Sequence, residues 1–359
     1  MLPTKRLIYA LAAGFAVLFV VLYFILGAAA QDVGGFYAGK TITLTIGAAR
    51  DSDEDVYARL FAKYLGRHLA GNPAVIAANL PSSGGHAAAA FIFSAGAKDG
   101  TAIGAVPADV IAAPLWFGPG KVAHDPTRFV YLGSAAPEST DCFVRSDTLV
   151  MGLRDAFVSE VAVGAAVDGG PTRDGPTLLN SLLGTKFRIV ARYGGVADIL
   201  AAIEDGEVTG ACGLAWTSVA TRHPDWLPKG VLRGLVQESL TGADMAGADM
   251  ATRMGIPLVT EFLQSGADRE VLALAYAEHG FAHPLILPPG TPPERVAVLR
   301  KAFLATWQDA SLVAEAKQAL LPVHPAAGEE VAALVERLYA APAEGIERVR
   351  AALASEKVH

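Results

Sequence analysis

The sequence feature that most constrains the fold is a strand, a short polar loop and a helix over residues 42–59, ITLTIGAARDSDEDVYAR. Alternating apolar and polar residues predict the strand, and apolar residues at helical spacing predict a helix that begins near Asp53. A helix start leaves backbone N–H groups unpaired and carries partial positive charge, so it favours an anion. This loop is itself acidic, however, which makes the charge of anything it binds the central question. Its acidic residues are Asp51, Asp53, Glu54 and Asp55.

The same strand, loop and helix pattern recurs along the chain. We predict strands over 41–46, 74–78, 103–106, 161–165, 187–191 and 210–214. The first three belong to a βαβαβ unit, and the last three to a second α/β unit. In both units the strands end in loops rich in Gly, Ser and Thr, which suggests two lobes that face a cleft. Residues 272–284 are expected to form a strand that returns to the first lobe.

Composition excludes several classes of protein. With 52% hydrophobic and 18% charged residues, the chain of 359 residues can bury ample core and is not a disordered chain. The formal net charge of −7, without any Lys/Arg cluster, argues against a nucleic-acid partner.

Residues 1–30 differ from the rest of the chain. Lys5 and Arg6 precede a nearly unbroken apolar run over 7–26, and Ala28-Ala29-Ala30 fits a cleavage site for small residues. The run is long for a signal peptide and nearly long enough to span a bilayer. We favour a cleaved export signal over an uncleaved inner-membrane anchor, and either one exports the remainder of the chain.

Cys142 and Cys212 are the two cysteines of the sequence. In an oxidising compartment they could form one disulfide. Two buried free thiols fit the sequence equally well, because sequence alone does not show that they are close in space.

The sequence predicts no enzyme and no cofactor or metal. The segment Ser82-Ser83-Gly84-Gly85-His86 offers a hydroxyl near a histidine, but it lacks the G-x-S-x-G turn of serine hydrolases and an evident acid to orient the histidine. The eight histidines show no zinc-binding spacing, and no phosphate-binding glycine loop follows the first strand.

Several short motifs occur in an order that is known from one family. They are FYxGKTIT at 36–43, DxxARL at 55–60, NxPSSGG at 79–85, KDGT at 98–101, GTKF at 184–187, YGGxxDI at 193–199, GEV at 206–208, CG at 212–213 and LPPGTP at 287–292. Together they resemble the solute-binding receptors of tripartite tricarboxylate transporters, also called Bug or TctC-like proteins. No single motif is specific, and the resemblance rests on their number and order over nearly the whole mature chain.

The resemblance implies an α/β, two-lobed periplasmic binding protein-like fold of type II, in which each lobe is a mixed sheet flanked by helices. Lobe 1 would contain residues 36–136 and 280–355, and lobe 2 residues 137–279. It further implies a periplasmic, monomeric receptor that closes on a small organic acid and delivers it to the subunits of a membrane permease. A membrane-anchored sensing or scaffolding module is the alternative function.

The resemblance also implies which residues contact the ligand, largely through backbone N–H groups and small side chains. In lobe 1 these positions are Ala49, Arg50, Asp51, Ser52, Asp53, Ser82, Ser83, Gly84 and Gly85. In lobe 2 they are Gly170, Thr172, Tyr193, Gly194, Gly195, Trp216 and Thr217. Trp216 fits a pocket wall and the core equally well, whereas Tyr193 is expected in the cleft because it precedes a strand-end loop.

One departure from the family concerns residues 49–53. The family usually has a run of glycines here, whereas this chain has Ala-Arg-Asp-Ser-Asp. The acids could point to solvent and cap the helix, which would leave Arg50 and the backbone to meet an anion. Alternatively, the ligand could be cationic, zwitterionic or a metal chelate, or the protein could have lost its role in transport.

Overall fold

The computed structural model describes residues 35–118, 122–240 and 254–354. The expected export signal and most of the Gly/Ala/Asp-rich stretch 239–255 lie outside the described residues. Within the described part of the chain, no helix has the length and hydrophobicity that a membrane span requires.

The described residues form eleven strands and eleven helices. The strands are β1 (Thr41–Ile46), β2 (Ala74–Asn79), β3 (Ala102–Ala105), β4 (Val130–Ser134), β5 (Thr140–Arg145), β6 (Val161–Ala166), β7 (Phe187–Tyr193), β8 (Gly210–Ala215), β9 (Leu232–Glu238), β10 (Pro284–Leu287) and β11 (Ala326–Ala327). The helices are α1 (Asp53–Leu65), α2 (His86–Ala95), α3 (Ala108–Phe117), α4 (Pro171–Leu183), α5 (Val196–Glu204), α6 (Trp216–Arg222), α7 (Gly266–Ala275), α8 (Pro293–Trp307), α9 (Ala310–Gln318), α10 (Gly328–Tyr339) and α11 (Ala343–Ala354).

The first sheet, which we call the sheet of lobe 1, has the strand order β11-β4-β10-β3-β1-β2. Strand β1 pairs in parallel with β2 and β3, whereas β10 is antiparallel to β3 and β4, so the sheet is mixed. Alternation along β1 buries Ile42, Leu44 and Ile46, and α1 covers them with Phe61 and Leu65. The predicted βαβαβ order of this lobe is confirmed.

The second sheet, that of lobe 2, has the order β7-β6-β8-β5-β9. Strand β6 is parallel to β7 and β8, and β5 is antiparallel to β8 and β9, so this sheet is mixed as well. Cys142 on β5 and Cys212 on β8 are fully buried, and their sulfur atoms are joined in a disulfide.

The chain passes from the first sheet to the second between β4 and β5, over residues 135–139, and returns through β10. The predicted strand over 272–284 is wrong. Helix α7 ends at Ala275, a 3₁₀ turn covers Ala277–Phe281, and only β10 is extended. Val271, Leu272 and Ala275 are buried at spacings of one and four residues, which is the pattern of a helix face.

Candidate functional site

Two loops of lobe 1 lie side by side because they follow neighbouring parallel strands. Residues 47–53, which we call the first loop and which include Asp53 at the start of α1, follow β1. Residues 80–85, the second loop, follow β2, with Ile46 and Asn79 in register. Gly85 has a left-handed φ of 95°. A Cβ atom on Gly85 would lie 2.6 Å from the carbonyl oxygen of Gly47, so only glycine lets the loops approach this closely.

A network inside lobe 1 fixes the first loop. Asn79 Nδ2 donates to the Ala48 carbonyl oxygen at 3.0 Å and to Asp55 Oδ1 at 2.6 Å. Arg59 Nε donates to the Asp55 carboxylate at 2.9 Å, and Arg59 Nη2 donates to Asn79 Oδ1 at 2.5 Å. Burial raises the pKa of Asp55, but the hydrogen bonds from Arg59, Asn79 and the backbone outweigh burial and lower it. Asp55 is therefore a charged structural group and does not face a ligand.

The second loop leads into helix α2 through a run of left-handed residues. Ser83, Gly84 and Gly85 have left-handed φ values of 55°, 61° and 95°. Helix α2 begins immediately afterwards, and no side chain caps its first turn. Ser82 and Ser83 are exposed. The backbone N–H groups at this turn are thus candidates for binding a carboxylate.

A loop of lobe 2 lies opposite these turns. A Cβ atom on Gly84 would lie 3.9 Å from the Asp168 Cβ atom, and one on Gly170 would lie 3.0 Å from Asp109 Oδ2 of lobe 1. Thr172 is buried, and its hydroxyl accepts a hydrogen bond from the Ala166 N–H at 3.0 Å. The structure thus brings residues 168–172 to the loops of lobe 1, and Thr172 holds this loop in place.

Two aromatic residues of the expected site pack in a core cluster of lobe 2. The Tyr193 ring packs in the same core cluster as Phe143 and Ile199, and its hydroxyl donates to Glu207 at 3.4 Å. The Trp216 ring contacts the Phe143 ring edge-on, with centroids 6.3 Å apart. The Tyr193 ring also lies over Gly164 of the neighbouring strand β6, where a Cβ atom on Gly164 would be 3.2 Å from the ring. Gly194 and Gly195 remain predicted contacts.

Asp53 bridges the two lobes. Its side chain is 9% exposed. The Ser218 hydroxyl donates to Asp53 Oδ2, and Arg222 Nη1 lies 3.1 Å from Asp53 Oδ1. Arg222 Nη2 also donates to the Asp51 carbonyl oxygen at 2.5 Å. The interpretation that the acids of the first loop point to solvent therefore holds for the side chain of Asp51 but not for that of Asp53.

A second cross-lobe contact lies where the chain passes between the sheets. Glu138 is buried, accepts a hydrogen bond from the Thr217 hydroxyl and lies 3.1 Å from His283 Nε2. Tyr57 stacks on the His283 ring, with centroids 4.1 Å apart. Burial lowers the pKa of His283, but the bond to Glu138 and the neighbouring acids Glu54 and Asp53 raise it overall.

A second group of acidic residues consists of carboxylates that raise one another's pKa. Asp109 at the start of α3 has its pKa raised to about 7 by burial and then by Glu54 and Asp174. Burial, followed by Asp109 and Asp174, raises the pKa of Glu278 well above its usual range. The pKa of Glu54 is also raised, chiefly by burial. This region therefore favours a proton or a positively charged group. Among the described residues, no acidic, histidine or cysteine cluster has the arrangement of a metal site.

Sequence reasoning did not identify the polar network that joins these elements. Its members that went unrecognised are Asn79, Asp109, Glu138, Ser218, Arg222, Glu278 and His283. The spacing of four residues between Asp55 and Arg59 could have indicated their ion pair. Asp53 and Arg222 are 169 residues apart, and no local pattern predicts such a pair.

Solved structures with a similar fold include solute-binding proteins and periplasmic binding proteins. A TctC solute-binding protein from Polaromonas is 20% identical, with 87% of this chain and 99% of that chain covered and a TM-score of 0.60. MatC from Rhodopseudomonas palustris with bound malate is 20% identical, with 88% and 99% covered and a TM-score of 0.63. The periplasmic binding protein BugD is 20% identical, with 88% and 98% covered and a TM-score of 0.66. Neither a protein-family model nor a curated protein matches the chain.

These likenesses establish the class of fold. The chain has the two-lobed α/β fold of periplasmic solute-binding proteins. Within that class, its structural neighbours are the TctC and Bug proteins, so the fold that the sequence motifs implied is confirmed.

Proposed function

We propose that this protein is an exported receptor that captures a small organic acid between its lobes and delivers it to a membrane permease of the tripartite tricarboxylate type. The observation that carries the proposal is the meeting of strand-end loops from both lobes, with Gly84 beside Asp168 and Gly170 beside Asp109. The malate bound to MatC supports a carboxylate ligand.

Capture requires no chemistry on the ligand. The left-handed turn over 83–85 and the uncapped start of α2 offer backbone N–H groups to a carboxylate. Glycines at 84 and 85 let the ligand approach the backbone closely. Closure of lobe 2 then buries the ligand against residues 168–172 and excludes water.

A zwitterionic or cationic ligand is the second candidate, and the neighbouring carboxylates of Asp109 and Glu278 favour it. Burial and neighbouring carboxylates raise the pKa values of both groups, so a negative charge is costly there. An ammonium group near Asp109 would offset that cost. A zwitterion could use this region and the turn over 83–85 together.

A thermal-shift panel distinguishes these ligands, because a ligand that binds only the folded state raises the melting temperature. The panel contains malate and adipate as dicarboxylates, γ-aminobutyrate as a zwitterion and putrescine as a diamine. Shifts with the dicarboxylates support the first candidate, and shifts with γ-aminobutyrate or putrescine alone support the second. If no member of this panel or of a broader solute library shifts the melting temperature, the receptor function is wrong.

A pair of glycine substitutions localises the ligand. Gly84→Ala places a side chain at a left-handed position in the proposed carboxylate turn, whereas Gly39→Ala does so at φ 71° in open space outside both loops. Each substitution should lower the free energy of unfolding by about 1 kcal/mol. Only Gly84→Ala should weaken the ligand-induced shift.

A further inference from the structure

We propose that Asp53 acts as an internal carboxylate ligand: it occupies an anion pocket that lobe 2 presents to the cleft, holds the lobes together without solute, and bars anionic solutes from that pocket. The inference concerns residues of this chain alone, but its consequence for specificity rests on the proposed receptor function.

The pocket is built by one face of α6. Ser218 and Arg222 are four residues apart on this helix and therefore lie on the same side. The Ser218 hydroxyl donates to one carboxylate oxygen of Asp53, and Arg222 lies 3.1 Å from the other. A guanidinium and a hydroxyl that share one carboxylate form a binding site for a carboxylate group.

The carboxylate in the pocket comes from the opposite lobe. Asp53 is the first residue of α1, and the first loop that carries it is fixed within lobe 1 through Asn79 and Asp55. Arg222 reaches back to the same loop, because its Nη2 donates to the Asp51 carbonyl oxygen. The contact therefore joins a rigid part of lobe 1 to α6 of lobe 2.

Burial and charge keep the pocket filled by Asp53. The Asp53 side chain is 9% exposed and that of Arg222 is 19% exposed, so the pair is largely shielded from water and salt. A free carboxylate would have to displace Asp53 and would leave it buried without its partner, which is costly. A solute carboxylate is therefore directed to the turn over 83–85.

The test removes the internal carboxylate and supplies a free one. Asp53→Ala should leave the Ser218 and Arg222 pocket open, so that acetate binds about tenfold or more tighter than to the wild-type protein in a calorimetric or NMR titration. The double variant Asp53→Ala/Arg222→Gln should lose this gain. Asp147→Ala, which removes an exposed carboxylate paired with Arg145 in lobe 2, should titrate like the wild type.

Small-angle scattering tests the bridging role on the same proteins. Without solute, Asp53→Ala and Arg222→Gln should both have a larger radius of gyration than the wild type and Asp147→Ala. Because either variant breaks the bridge, one of them suffices if the other fails to fold.

The proposal is overturned if Asp53→Ala shows wild-type acetate affinity, or if both bridge variants keep the wild-type radius. Failure of the receptor function would instead appear as a wild-type protein that binds no member of the solute library, whatever Asp53→Ala does with acetate.

Discussion

The two sides of the cleft differ in the electrostatic surroundings of their carboxylates. At the Asp53 side, a carboxylate of lobe 1 meets Ser218 and Arg222 of lobe 2, and both of its oxygens have partners. At the Asp109 side, Asp109 and Glu278 lie near each other and near Asp174, and their pKa values are raised. One side is electrostatically complete across the lobes, and the other favours an added proton or cation.

This difference separates two roles, bridging the lobes and binding the solute, that a glycine-rich first loop would combine. Where the first loop carries Asp53, the chain itself supplies the group that bridges the lobes. Recognition of a solute then falls to the turn over 83–85 and to the acidic side. The acids of the first loop thus restrict which solute the cleft accepts and do not abolish the cleft.

The largest expected effect concerns Asp55, the acid of α1 that bonds within its own lobe. Asp55→Ala leaves Arg59 and Asn79 without their shared acceptor, so we expect a loss of about 3 kcal/mol in the free energy of unfolding, measured in urea. Asp147→Ala, which removes an exposed ion pair, should cost less than about 1 kcal/mol. Equal losses in the two variants would contradict a structural role for Asp55.

The next effect concerns the contact between the two loops of lobe 1, which form a common wall for both sides of the cleft. Gly85→Ala would bring a methyl group to within 2.6 Å of the Gly47 carbonyl oxygen. We expect a loss of about 2 kcal/mol in the free energy of unfolding and a weaker ligand-induced thermal shift. If Gly85→Ala is no more costly than Gly39→Ala, the loops do not depend on this contact.

The smallest effect is a pH dependence at the acidic side. The pKa of Asp109 rises from 3.8 to about 7 in the folded protein, so the folded state binds the proton more tightly than the unfolded state. The stability linked to this proton is fully present below pH 3.8 and is lost as pH rises through about 7. The melting temperature should therefore fall between pH 5 and pH 8, and Asp109→Asn should reduce this slope.

Asp147→Asn is the control for the slope, because Arg145 lowers the pKa of Asp147 and its titration lies below this pH range. A slope that Asp109→Asn leaves unchanged would show that the acidic side does not titrate as described.

The part of the site that follows from strand order could be predicted from the sequence. Strands β1 and β2 were readable from their apolar pattern, and neighbouring parallel strands necessarily bring the loops at 49–53 and 82–85 together. The strand predicted over 272–284 covers the end of α7 and the 3₁₀ turn after it, because a short apolar run has no unambiguous period.

The contacts between the lobes could not be predicted in the same way. Ser218 and Arg222 meet Asp53 only because α6 and α1 face each other in the folded protein. The strand-end loop after Tyr193 predicts a place in the cleft for this residue, whereas its ring packs over Gly164 within the core cluster of lobe 2.

The central claim is that loops of both lobes hold one ligand. Amide hydrogen exchange, measured with and without solute, tests this claim most directly. Malate, adipate, γ-aminobutyrate and putrescine are added separately to the wild-type protein. The account predicts that a solute which raises the melting temperature also slows exchange in three segments together, namely 49–53, 82–85 and 168–172. Slower exchange confined to the loops of one lobe, or to none of these three segments, would contradict it.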